Sequence, residues 1–104
     1  MLIVTTDGIE GRKIVEYLGI VSGDAIVGAN VFRDLFARVR DVVGGRAGGY
    51  EKALRGAKGH AIDDMVREAA DVGADAVVAV DLDYEVLGES MLMVSANGTA
   101  VRLG

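Results

Sequence analysis

The run Ile14 to Val27, IVEYLGIVSGDAIV, is a long β-type stretch in a chain of 104 residues that contains no proline. Most strands in globular proteins are 3–10 residues long. A strand of this length twists strongly, bulges, or turns back on itself. Ser22-Gly23-Asp24 is its one interruption. We therefore expect a single strand from about Ile14 to Val27, bent or bulged at that break, with a hairpin turning there as the alternative. In either form the run commits the chain to a sheet.

The period then changes. In NVFRDLFARVRDVVGG the residues Phe32, Leu35, Phe36, Val39 and Val43 recur at helical spacing, with Asn30 placed to cap the start and Gly44 to end it. A second apolar stripe runs through Tyr50, Ala53, Leu54, Ala57, Ala61, Ile62, Met65, Val66, Ala69 and Val72. It predicts an amphipathic helix of about 24 residues closed by Gly73. Gly56 and Gly59 inside it cost about 1 kcal/mol each relative to alanine, so the helix is either weak there or closely approached by a neighbour. At the N-terminus Leu2 to Thr5 reads as a short strand ended by the Asp7-Gly8 turn. The last third, DAVVAVDLDYEVL and SMLMVSANGTAVRL around Gly88-Glu89, predicts a hairpin. A two-residue turn there would set Glu85 against Leu92, Asp83 against Val94 and Asp81 against Ala96, with a bulge at Asn97-Gly98.

Composition bounds the function classes. Eleven basic residues are scattered among sixteen acids, for a net charge of −5. Nucleic acid and anionic membranes both need clustered basic charge, so neither is expected as a partner. No segment approaches the roughly 20 apolar residues that span a bilayer. The start MLIVTT has no basic lead and too short an apolar run for a signal peptide. The absence of cysteine suits the cytoplasm and removes thiolate ligands and nucleophiles. SMLMVSA is apolar at both parities, so one sheet face is expected to need a cover, for which a second copy of the chain is the first choice.

Three constellations could carry chemistry. Arg46 stands among four glycines in VVGGRAGGYE, before the helix that begins near Tyr50. Such a loop can cradle an anion or simply turn one helix into the next, and the helix preceding it favours the corner. In VDLDYE, period two places Asp81, Asp83 and Glu85 on one strand face. Three carboxylates at this spacing can attract a hard divalent cation, or form a solvated acidic face. The paired strand predicted above would leave one or more of them partly buried and in need of Arg46 or Arg102. His60 is the only histidine, so a metal site on it would have to borrow ligands from other chains. Ser22, Ser90 and Ser95 have no histidine partner in a nucleophile frame, and no catalytic residue is assigned.

The stretches IEGRKIVEYLGIVSGDAIVGANVFRDLFARVRDVVGGRAGGYE and GADAVVAVDLDYE…SMLMVSANGTAV resemble the YbjQ family, over nearly the whole chain. The resemblance implies an α/β fold of bent antiparallel strands with two helices, a homopentameric ring, and a family label of heavy-metal binding. Ala47 and Gly49 stand where the family pattern has serine and alanine, Gly56 and Gly59 interrupt a helix that usually lacks them, and the loop after Leu87 is short. Soft metals favour thiolates, which this chain lacks.

The expectation is an α+β domain over residues 1–104. A bent antiparallel sheet carries one short and one long helix on one face and assembles into a homo-oligomeric ring, a pentamer by resemblance. Its function is expected to be binding of a metal ion or small ligand, with Arg46, Tyr50, Asp81, Asp83 and Glu85 as ligand contacts, His60 as a metal ligand and a divalent ion as the cofactor. The alternative is a structural ring that docks another protein and has no ligand of its own.

Overall fold

The structure is a computed structural model that describes residues 1–28, 48–88 and 91–104. The elements in chain order are β1 (Leu2–Ile3), β2 (Ile14–Val27), α1 (Gly48–Asp71), β3 (Ala76–Val86) and β4 (Leu92–Leu103). They form one four-stranded sheet in the order β1-β3-β4-β2. The sheet is mixed: β1 runs parallel to β3, whereas β3–β4 and β4–β2 are antiparallel. The long helix is present, and the shorter one expected over residues 30–43 lies outside the described residues.

β2 is one continuous strand of 14 residues, so the hairpin alternative is set aside. Its irregularities fall between Ile14 and Gly19, where the register against β4 shifts twice and Gly19 adopts φ +105°. Ser22-Gly23-Asp24 runs straight through, paired with Asn97, Ala96 and Ser95. The glycine there serves packing rather than bending. A Cβ on Gly23 would run into the Ala61 carbonyl oxygen and lie 2.5 Å from the Met65 backbone nitrogen. Helix α1 is therefore seated on the β2 backbone itself.

Alternation decides what each face meets. Val21, Gly23, Ala25 and Val27 face α1, together with Ala100, Ala96, Val94 and Leu92 of β4. The helix contributes Ala57, Ala61, Met65 and Ala69 at i, i+4 spacing, and all four are buried. Small residues on both sides allow the close approach. The helix ends as predicted: Gly73 takes φ +79°, its N–H donates to the Ala70 carbonyl, and the Ala74 N–H donates to that of Ala69. These two bonds are a Schellman cap, which needs the left-handed conformation glycine adopts freely. Among the described residues, nothing lies within 4 Å of where a Cβ on Gly56 or Gly59 would sit.

A smaller cluster lies on the opposite face. Ala76, Val78 and Val101 are buried there beneath Val4, Ile9, Ile14 and Leu103. The N-terminal segment follows β1 across this end, with Val4 N–H donating to Val77, Val80 N–H to Val4, and Ala79 N–H to Thr6. The expected bulge at Asn97-Gly98 is on the partner strand instead. Ala79 and Val80 together oppose Gly98, and Ala79 is left-handed at φ 54°. A Cβ on residue 98 would lie 2.5 Å from Val77 Cγ1, so the glycine lets β3 pass closely beside the bulge.

Gly23 and Gly56 make a paired test. Gly23→Ala forces backbone against backbone and is expected to cost 1–3 kcal/mol or more, on the order seen for overpacking. Gly56→Ala has open space and is expected to stabilise by about 0.5–1 kcal/mol through helix propensity. Urea midpoints at unchanged m-value read both, and a neutral Gly23→Ala would contradict the seating of the helix.

Candidate functional site

The β3–β4 register determines where the acids point. Leu87 N–H donates to the Met91 carbonyl at 2.7 Å, and Val86 pairs with Leu92. The register is thus displaced by one residue from the expected one. Asp81 faces Asn97, Asp83 faces Ser95 and Glu85 faces Met93, in place of the predicted Ala96, Val94 and Leu92. A slip of one residue transfers every side chain to the other face. The acids accordingly stand beside the polar parity of β4, on the face turned away from α1, and all three are exposed. The expectation of a partly buried carboxylate that requires an arginine is overturned. Arg102 instead pairs with Glu16 across β2–β4, with Nε and Oε1 3.4 Å apart.

The same face carries an acid that the sequence reading passed over. Asp24 sits opposite Ser95 on β2, and Ser95 Oγ donates to Asp24 Oδ1 at 2.6 Å. Asp83, Ser95 and Asp24 thus form one row across three strands, and Asp81, Asn97 and Ser22 form the next. The signal for Asp24 was its parity within β2. It could be used only with the strand order in hand, because β2 and β3 are separated by β4 and joined by no turn.

The row is electrostatically strained. The Asp83 carboxyl is held above the ordinary aspartate range, chiefly by a hydrogen bond with Asp81 and then by that group's negative charge, with lost hydration and Glu85 adding to it. A proton on Asp83, shared by hydrogen bond with Asp81, is favoured over two adjacent negative charges. The arrangement favours whatever neutralises it: a proton, a cation, or a basic side chain.

The remaining candidates are not gathered here. His60 is exposed on α1 and lines an apolar hollow of about 290 Å³ with Ala25, Ile26, Val27, Gly28, Ala53, Gly56 and Ala57. The helix covers the opposite side of the sheet from the acids, so His60 and the acid row do not converge. Tyr50 falls in the first turn of α1; its side chain, like Arg46 and the glycine loop, lies outside the described residues. Among the described residues, no three histidine, aspartate or glutamate side chains converge to hold a metal ion. No described helix is long and apolar enough to cross a membrane.

Known proteins place the chain clearly. The family model YbjQ_1, described as "Putative heavy-metal-binding", matches residues 1–104. A UPF0145 protein of Bacillus cereus strain ATCC 10987 is 56% identical over 103 residues, which is 99% of this chain and 100% of the relative. Another, from strain ATCC 14579, is 55% identical over the same shares. Among solved structures, the crystal structure of a protein of unknown function of the DUF74 family from Pediococcus pentosaceus superposes with TM-score 0.64 at 17% identity. That superposition covers 100% of this chain and 98% of the other, and it supports the fold alone.

The strain at Asp83 sets a pH dependence. A carboxyl raised in the folded state binds its proton more tightly there than in the unfolded chain. Its contribution to stability is therefore present at low pH and is lost as pH rises through the folded value. Asp83→Asn is expected to raise the melting temperature slightly at pH 7 and to have no effect at pH 3. Melting curves at the two values check this, and an equal effect at both would contradict the shared proton.

Proposed function

The chain belongs to the YbjQ family, and from that premise we propose that it is a self-assembling binding module whose open acidic sheet face takes up divalent cations. The observation that carries the reading is the row Asp83–Ser95–Asp24 with Asp81 beside it, where like charges are held together on an uncovered surface. Folding gains nothing from crowding carboxylates, whereas a cation between them relieves the repulsion. The donors are carboxylate, amide and hydroxyl oxygens, which suit hard ions such as Mg²⁺, Ca²⁺ or Mn²⁺. The family description speaks of heavy metals. With no cysteine and one histidine in the whole chain, soft thiophilic ions are poorly matched to its ligands.

Assembly is part of the same reading. Val15, Tyr17, Ile20 and Ile26 on β2, and Tyr84 and Val86 on β3, are all more than half exposed. A ring, five-membered by family resemblance, would cover such surface and repeat the acid row around an axis. A structural ring without a ligand is the second reading. It is favoured by the lack of a convergent three-ligand cluster among the described residues.

Calorimetric titration separates the two. The first reading expects heat with Mn²⁺ or Ca²⁺, at least tenfold weaker binding in Asp83→Asn, and weaker binding again as the solution is acidified and protons compete. No heat with hard or soft ions would leave the ligand-free ring. In that case Asp83→Asn is expected to keep the wild-type mass.

A further inference from the structure

Resting on the reading that the acid row takes up cations, we propose that Ala79 is the positioning residue of that row: absorbed as a bulge, it keeps Asp81, Asp83 and Glu85 on the open face, and a one-to-one strand would turn them to the helix side. The pairing of β3 with β4 has two halves. Ala76, Val77 and Val78 stand opposite Val101, Ala100 and Thr99. From Asp81 onwards the partners are displaced by one, because Ala79 and Val80 together oppose Gly98. Carried on one to one from Val78 and Thr99, the inner register would set Asp81 against Ala96, Asp83 against Val94 and Glu85 against Leu92. That is the pairing the sequence alone suggested for the acids. A slip of one residue exchanges the two faces, so the bulge accounts for the difference between their expected and observed surroundings.

Ala79 is left-handed at φ 54°, a conformation that L side chains rarely adopt and that persists only where the surroundings fix it. Its N–H donates to the Thr6 carbonyl at 2.8 Å, and the Val80 N–H donates to that of Val4 at 3.0 Å. Gly98 leaves room beside the bulge, since a Cβ there would lie 3.2 Å from Val80 Cγ2. Val80 and Leu82 pack against the helix-side cluster, a place they hold only in the bulged register. Ala79 itself is exposed, so a larger side chain there meets the left-handed backbone rather than the core.

Beyond Leu82 neither parity of β3 is buried. Tyr84 and Val86, on the helix side, are 51% and 72% exposed, and Asp83 and Glu85 on the other side are exposed as well. The choice of face is therefore made at residues 79–82 and passed outward by alternation. In a slipped strand Asp81 and Asp83 would stand across the sheet from Ser95 and Asp24, and the row over three strands would be divided. A cation held between Asp83 and Asp24 binds only the bulged register and favours it by that difference in affinity. The N-terminal segment, through Val4 and Thr6, thus takes part in presenting acids that it does not touch.

Cross-strand nuclear Overhauser contacts in the cation-free protein read the register. The wild type is expected to show Asp81 with Asn97, Asp83 with Ser95 and Glu85 with Met93. Ala79→Val puts a β-branched residue where φ is positive, which such residues resist. It is expected to exchange those contacts for Asp81 with Ala96, Asp83 with Val94 and Glu85 with Leu92, and to bind Ca²⁺ roughly tenfold more weakly by calorimetry, as loss of a bridging carboxylate implies. Ala79→Gly takes the left-handed form freely and is expected to keep the wild-type contacts. Deletion of Ala79 removes the surplus residue, so a bulge-free strand still sets Asp81 against Asn97 and the contacts should persist. A substitution that moves the row where deletion of the same residue does not is unlike a general loss of stability. An Ala79→Val protein that keeps the wild-type contacts, or a deletion variant that loses them, overturns the proposal. Should Ala79→Val fail to fold, the deletion variant decides alone. Contacts that move as expected in a protein whose wild type gives no heat with Ca²⁺ or Mn²⁺ leave the role of Ala79 in the register standing and defeat only the cation reading.

Discussion

Helix α1 lies on the backbone of β2 because residue 23 has no side chain, and most of the remaining structure follows from that contact. With Ala61 and Met65 against Gly23, the alanines of the helix stripe reach Val21, Val94, Ala96 and Ala100 without bulky spacers. The chain has few aromatic residues, so dispersion within a tightly seated core of small groups has to replace large buried rings. Close seating of this kind leaves little tolerance for side chains at the contact and settles which parity of β2 faces inward.

Once that parity is settled, the two faces of the sheet have separate roles. The helix side collects Val, Leu, Ala and Met. The other side is closed at one end by Val4 and Ile9 and carries Asp24, Ser95, Asp81, Asp83 and Glu85 towards the other. The carboxylates are grouped on the face turned away from α1 and are exposed. His60 shares the chain with these groups but not the surface. A metal site that used both would have to draw them from different copies.

The same economy leaves the sheet unfinished at its margins. Among the described residues, helix α1 covers β2 and β4, and β3 extends beyond it with Tyr84 and Val86 exposed. Among the described residues this leaves a long strand edge and apolar side chains exposed, which is the surface the proposed assembly would cover.

Much of the architecture was legible in the residues. The bounds of β2, the length of α1 and its Gly73 cap, and the two strands of the final hairpin follow from local period and glycine placement, because strand and helix periods and cap chemistry are properties of neighbouring residues. Whole-chain similarity to the YbjQ family was also visible in its motifs. The tertiary structure alone decided the parallel pairing of β1, the purpose of Gly23, the bulge at Ala79 and the company of the acids. Each of these depends on which residues meet across strands, and the observed β3–β4 register differs from the expected one by one position. In a lattice of period two, one position exchanges the buried face for the open one, and no pattern within a single strand records which it will be.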